Sequence, residues 1–355
     1  MAAKAKIPVA VLGATGAVGQ RFIQLLANHP WFTITALAAS ERSAGHRYAD
    51  VCRWVIPGDP PPAIGEMIVQ NLNPTLPAKI VFSALPSEVA REIEPDFAKA
   101  GYRVCSNASA FRYEADVPLI IPELNADHLA LIERQRAERG WEGCIVTSPN
   151  CTTTGIAMTL RPLNEAFGIE KLFVTTMQAI SGAGHPGVAS LDILGNVIPY
   201  IGGEEEKIEK ETRRLLGHIV DGERVEADIT VSAQANRVPV IDGHTLNIAV
   251  GFSTPPTVED AIRALREYRG QEVARRLPSA PEHPLLVRTE PDRPQPRRDR
   301  DAEDGMAVTV GRVRPCPLLD LRMVSVVHNT LRGAASGAIL NAELLAAAGY
   351  VAREV

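Results

Sequence analysis

Cys151, in the run Ser148-Pro149-Asn150-Cys151-Thr152-Thr153-Thr154-Gly155, is the cysteine with a context for chemistry. A cysteine at a helix N-terminus feels the positive end of the helix dipole, which lowers its pKa and favours the nucleophilic thiolate. The same helix end presents backbone N–H groups to an oxyanion. The other four cysteines, Cys52, Cys105, Cys144 and Cys316, read as small inert core residues. A thiolate needs a proton partner, and histidine is the usual one. Of eight histidines, His244 follows a turn at the head of an apolar strand, seven positions after Arg237. His185 and His328, beside small or polar residues, remain alternatives.

Two further constellations suit ligands. Gly13-Ala14-Thr15-Gly16-Ala17-Val18-Gly19 lies directly after an apolar strand and before an amphipathic helix. Glycines there let the backbone turn tightly and approach a pyrophosphate at the helix N-terminus, so Gly13, Thr15, Gly16, Ala17 and Val18 are candidate dinucleotide contacts. After the second strand come Ser40, Glu41, Arg42 and Ser43. Glu41 suits a ribose 2′-hydroxyl, whereas Ser40, Arg42 and Ser43 suit a 2′-phosphate, and the balance favours NADP. Further on, Ser181-Gly182-Ala183-Gly184 follows a buried strand. Glu204 and Lys207 share one face of a highly charged helix, as a solvated surface or as a substrate clamp.

These residues need elements to hold them. Apolar runs at 7–12, 32–38 and 79–85 read as strands, and 20–28 and 89–100 as helices, the second containing Pro95 and stopped by Gly101. Strands alternating with helices imply a parallel sheet. From about residue 151 the β-rich runs 172–180, 228–231, 244–252, 307–314 and 321–327 suit an antiparallel sheet in a second domain. Residues 278–304, crowded with Pro, Arg and Asp, read as an ordered excursion or exposed loop, and 333–349 as a last helix. The expected fold is α/β: an N-terminal Rossmann-type parallel sheet with a second α+β domain.

Composition narrows the class. A chain of 355 residues, 45% hydrophobic, holds two domains at about 150 residues each. A net charge of −5 speaks against a general nucleic-acid surface. No uninterrupted apolar stretch reaches the roughly 18 residues of a membrane span. Lys4 and Lys6 precede an apolar run too short for a signal peptide. Five scattered cysteines without a C-x-x-C pair argue against a disulfide framework and a structural zinc, so no metal is expected and the compartment is expected to be the cytoplasm.

Several motifs recur together in one known family. They are the glycine turn, Arg42-Ser43-Ala44-Gly45, Ser106-Asn107-Ala108 with Arg112, Asp116-Val117-Pro118-Leu119, and Pro149-Asn150-Cys151-Thr152-Thr153. Ser181-Gly182-Ala183-Gly184, Ile198-Pro199-Tyr200-Ile201-Gly202-Gly203-Glu204-Glu205, Arg237-Val238-Pro239, Asp242-Gly243-His244 and His328-Asn329-Thr330-Leu331-Arg332-Gly333-Ala334-Ala335 continue them. In order and spacing they resemble the aspartate-β-semialdehyde dehydrogenase family, in its archaeal and fungal-like branch, almost end to end.

The resemblance implies NADPH-dependent reduction of 4-phospho-aspartate to the semialdehyde with release of phosphate, a step in lysine, methionine and threonine biosynthesis. It implies Cys151 as nucleophile through a thioacyl intermediate, His244 as acid/base and Gln178 as the residue orienting the intermediate. It further implies Arg237 on the substrate α-carboxylate, Glu204 on the α-amino group, Lys207 and Arg112 on phosphate, and Asn150 at the substrate. Asn329 would hold the nicotinamide carboxamide, with Ser181 and Gly182 also at the cofactor. The implied domains are 1–150 plus 329–355 and 151–328, in a homodimer or homotetramer. Malonyl-CoA reductase shares the scaffold and the cysteine–histidine pair but offers no amino group for Glu204. N-acetyl-glutamyl-phosphate reductase usually has glycine where this chain has Asn150. An NADPH-binding sensor on the same fold is the non-enzyme reading, and retention of both Cys151 and His244 opposes it.

Overall fold

The structure is a computed structural model and describes residues 5–352; Lys4 and residues 353–355 lie outside the described residues. The apolar runs form β1 (Ile7–Leu12), β2 (Phe32–Ala38), β3 (Ile80–Ser83), β4 (Arg103–Ser106) and β5 (Cys144–Thr147). They pair in parallel in the order β2-β1-β3-β4-β5. The chain leaves β1 for β2 on one side and returns to β3 on the other, so the crevice at the switch point opens at the C-terminal end of β1. That end is the glycine turn. Gly13 has φ +74°, and a Cβ on it would lie 2.8 Å from the Ala84 carbonyl oxygen. A Cβ on Gly19 would lie 2.3 Å from the Gly13 oxygen, so this glycine lets α1 (Ala17–Leu26) sit directly on the turn. The helix starts and ends earlier than the 20–28 read from sequence, because Gly16, in extended conformation, is its N-cap. The next long helix, α2 (Ser87–Lys99), runs through Pro95 as expected, and Gly101 beyond it takes φ +91°.

The second sheet is built from β6 (Ile169–Gln178), β7 (Thr230–Arg237), β8 (His244–Phe252), β9 (Leu285–Val287), β10 (Val308–Pro315) and β11 (Leu321–Val327), in the order β9-β10-β11-β8-β6-β7. Its middle is antiparallel, but β6–β7 and β9–β10 are parallel pairs, which corrects the antiparallel expectation. Parallel neighbours need a crossover of a dozen or more residues. The crossover between β6 and β7 includes α4 (Glu204–Leu216), which packs on β7. The strand read at 228–231 is in fact β7, which continues to Arg237 and carries Ser232, Gln234 and Asn236, polar residues an edge strand tolerates.

Helix α3 (Cys151–Phe167) lies across this sheet, burying Ile156, Leu160 and Leu163 with Leu246, Ile248, Leu321 and Met323. The excursion 278–304 is not a plain exposed loop. It supplies edge strand β9, and Asp299, fully buried, accepts from Arg288 Nε at 3.1 Å, Arg293 Nε at 2.8 Å and Gln295 N at 2.7 Å. Arg300 Nη1 then donates to the Asp242 carbonyl oxygen at 3.0 Å, so the excursion backs the turn that leads into His244. The last helix, α5 (Ser336–Ala347), packs on β3 and β4, with Leu340 and Leu344 in the core of the first sheet.

Candidate active site

The position of Cys151 follows from local sequence. Asn150 is the N-cap of α3: its Oδ1 accepts from Thr152 N at 2.9 Å and Thr153 N at 3.1 Å, satisfying N–H groups that no helical carbonyl reaches. Cys151 is therefore the first residue of the helix. Its Sγ lies 3.2 Å from His244 Nε2, and His244 opens β8 and is fully buried. His244 Nδ1 accepts the Ala179 N–H at 3.0 Å, so the neutral ring carries its proton on Nε2 and directs it at the sulfur. His185 is exposed on a neighbouring cleft wall, and His328 is buried with Nε2 3.6 Å from Asp301. His244 is the histidine at the sulfur.

Around Cys151 is a pocket of about 420 Å³ lined by Arg112, Asn150, Gln178, Gly182, Glu204, Lys207 and Arg237. Parallel pairing of β6 and β7 sets Gln178 and Arg237 side by side at the strand ends. Arg237 is 6% exposed, with Nη1 donating to the Ala179 oxygen at 2.8 Å. A Cβ on Gly182 would sit 2.8 Å from Arg237 Nη1 and 3.1 Å from His244 Cε1, so glycine leaves these two groups room. Glu204 Oε1 accepts from Asn150 Nδ2 at 2.9 Å, Gln178 Nε2 at 3.0 Å and Thr152 Oγ1 at 3.1 Å, while Lys207 Nζ stands 3.9 Å from Oε2. Arg112 donates through Nη1 to Glu211 and through Nη2 to the Asn107 oxygen, at 2.9 and 2.8 Å, and its buried Nε has no partner.

A second cleft of about 390 Å³ lies between Ala17 and Val18 at the start of α1 and Ser181, Asp242 and Thr330. The first N–H groups of α1 lack helical acceptors, and Gly16 has no side chain to cap them. This uncapped, glycine-cradled helix start fits a dinucleotide pyrophosphate. Asn329 is 2% exposed; its Nδ2 donates to Ser181 Oγ at 2.8 Å and its Oδ1 accepts from Gly243 N at 2.9 Å, tying the cleft wall to the His244 turn. Thr15 lies within the glycine turn, and Ser40, Glu41 and Arg42 stand exposed after β2, with Ser43 N closing a turn onto the Ser40 oxygen at 2.9 Å.

Residues 8–132 match the family model described as semialdehyde dehydrogenase, NAD binding domain, and residues 160–332 match semialdehyde dehydrogenase, dimerisation domain. The aspartate-semialdehyde dehydrogenase of Archaeoglobus fulgidus is 52% identical over 95% of this chain and 97% of its own length. The chain belongs to the aspartate-semialdehyde dehydrogenase family. Its likeness extends to the fungal enzymes of this family: that of Saccharomyces cerevisiae is 44% identical over 96% of this chain and 98% of its own. The crystal structure of the Candida albicans aspartate-semialdehyde dehydrogenase with NADP superposes with a TM-score of 0.90 at 44% identity, covering 98% of this chain and all of that one.

Electrostatics depart from the sequence reading in this semialdehyde dehydrogenase site. Burial, and next the Glu204 carboxylate, push the Cys151 thiol up to about 12, against the pull of Arg112 and Arg237. Burial, then Arg237 and His328, bring His244 down to about 3. The helix N-terminus is where the sequence puts it, but burial and Glu204 move the thiol up rather than down, and the resting pair is a neutral thiol beside a neutral imidazole. Two neighbours escaped the sequence reading. Gly333 packs on Cys151 so tightly that a Cβ would lie 2.5 Å from the cysteine's own. Glu211 follows Glu204 and Lys207 on one face of α4, and that spacing was its available signal.

Proposed function

We propose that the chain reduces 4-phospho-L-aspartate to L-aspartate 4-semialdehyde with NADPH, reversibly, releasing phosphate for amino-acid biosynthesis. The observation that carries this reading is the thiol–imidazole contact of 3.2 Å set between a pocket rich in guanidinium and carboxylate groups and a glycine-cradled cleft. The substrate ammonium pairs with Glu204, cancelling that carboxylate's field at the sulfur and leaving Arg112 and Arg237 to favour the thiolate. The thiolate attacks the acyl carbon; the bond to the phosphate oxygen breaks, and phosphate leaves toward Arg112 and Lys207 with the thiol proton. This leaves a thioester on Cys151, its carbonyl oriented by Gln178 and Asn150. NADPH supplies the hydride. When the C–S bond then breaks, the Nε2–H of His244 stabilises the departing thiolate, which takes up a proton from solvent to restore the thiol, and the aldehyde is released. NADPH is held by Gly13, Thr15, Gly16, Ala17 and Val18 at its pyrophosphate, by Ser40, Arg42 and Ser43 at the 2′-phosphate, and by Ser181, Gly182 and Asn329 toward the nicotinamide.

The direct test is NADP reduction by aspartate semialdehyde, with its dependence on phosphate, run beside CoA-dependent oxidation of malonate semialdehyde. Turnover only in the second assay overturns the reading in favour of an acyl-CoA reductase. At the carboxylate subsite, Arg237→Lys exchanges a planar fork for a point charge, and kcat/KM for the semialdehyde is expected to fall about tenfold or more. Unchanged kinetics would place the carboxylate elsewhere. At the cofactor, Arg42→Ala should remove most of an NADP preference of about tenfold while sparing activity with NAD. Equal kcat/KM for both cofactors in the unaltered protein would show Glu41, not Arg42, facing the ribose.

The division into 1–150 plus 329–355 and 151–328 is part of this reading, supported by the packing of α5 on the first sheet. So is a homodimer or homotetramer: within the segment matching a dimerisation domain, Leu191 is 93%, Tyr200 69% and Leu194 66% exposed, apolar area that a second copy would cover. Five free cysteines suit a reducing cytoplasm, and among the described residues no helix is long and apolar enough to cross a membrane.

A further inference from the structure

We infer that Glu211 is a positioning residue that holds Arg112 and the start of the nucleophile helix in one geometry; this rests on the reading of Arg112 as a phosphate ligand. Glu211 is fully buried on α4, one turn beyond Lys207 and two beyond Glu204. Its Oε1 accepts from Arg112 Nη1 at 2.9 Å and Tyr113 Oη at 3.3 Å. Its Oε2 accepts from Asn150 N at 2.6 Å. These donors come from two distant stretches, one after β4 and one at the cap of α3.

Every group converging on Glu211 is a donor, and a carboxylate is the side chain that only accepts. An amide of the same shape would turn an N–H against one of them. Asn150 is also gripped from its other side, where its Nδ2 donates to Glu204. One helix face thus holds the residue before Cys151 by its backbone and by its side chain. The same face orients Arg112, which lines the pocket with Cys151 and Lys207 and whose remaining Nε is buried without a partner. The carboxylate subsite and the cofactor cleft depend on other elements: Gln178 and Arg237 end β6 and β7, and Ala17 and Val18 open α1. Loss of Glu211 should therefore disturb phosphate binding and the nucleophile together and spare the rest.

The test is steady-state kinetics in the phosphorylating direction with phosphate and semialdehyde varied separately. Glu211→Gln is expected to raise the phosphate KM about tenfold or more and lower kcat, because a charge-assisted hydrogen bond is lost. NADP affinity should change less than about twofold, since its cleft shares no group with Glu211, and the semialdehyde KM should change far less than the phosphate KM, since only Asn150 links that subsite to Glu211. Glu211→Asp, still acceptor-only, should recover part of the phosphate KM. It also keeps the test decisive if the glutamine variant does not fold, because the same KM split must then appear at smaller size. In an Arg112→Ala background, Glu211→Gln should raise the phosphate KM by less than about twofold further, the non-additivity of residues acting through one contact. If Arg112→Ala itself leaves phosphate KM unchanged, the reading of Arg112 falls and takes this inference with it. If Arg112→Ala raises it but Glu211→Gln does not, or the two effects multiply, only the positioning role is overturned.

Discussion

Cys151→Ala is expected to lose semialdehyde oxidation by about 10⁴-fold or more, because no other group at the pocket can form the thioester. NADPH affinity should stay within about twofold, since the cleft at α1 shares no contact with the sulfur. Retained activity in this variant, or loss only on changing another cysteine, would refute the assignment. The pH dependence of the thiol follows from the same site. With the thiol pushed up to about 12 by burial and Glu204, the thiolate is scarce at neutral pH and grows as pH rises. Iodoacetamide inactivation of the free enzyme should therefore climb steadily from pH 6 to pH 10, about tenfold per unit. A plateau near pH 6 would mean a preformed thiolate–imidazolium pair, which the low value at His244 argues against.

His244→Asn should lower kcat by about 10² to 10⁴, the usual worth of a positioned proton donor or acceptor, with smaller effects on either substrate KM. Because His244 is held down at about 3, it stays neutral across the working range. The ratio of unaltered to variant kcat should consequently stay flat between pH 6 and pH 9. A histidine titrating at its ordinary value of about 6.5 would make that ratio collapse on the acid side, and such a collapse would contradict the buried, Nε2–H form. A loss below about threefold would redirect attention to His185 or His328.

Much of the molecule is legible in its sequence. The strand at 7–12, the glycine turn and the helix after it follow from short-range rules, since apolar runs, missing Cβ atoms and helix starts act on neighbours in sequence. The motif order around Cys151, Arg237 and His244 carried the family. The second sheet was harder to read: β7 at the edge has the polar alternation of a half-exposed strand, and its parallel pairing depends on a crossover that no local pattern announces. For 278–304 the choice between an ordered excursion and an exposed loop stayed open in the sequence, because its charges pair only once the chain has folded them onto Asp299.

The residue types, their spacing and the turn chemistry determined that this chain builds a dinucleotide-binding sheet and carries a cysteine at a helix start beside a histidine-led strand. Only the tertiary structure decided their protonation. Burial with Glu204 keeps the thiol protonated, burial with Arg237 and His328 keeps the imidazole neutral, and desolvation is a property of the whole packed surround. It also decided that Glu211, 61 residues from Asn150 in sequence, touches that cap of α3 at 2.6 Å, because a hydrogen bond between α4 and α3 exists only once both helices have been placed.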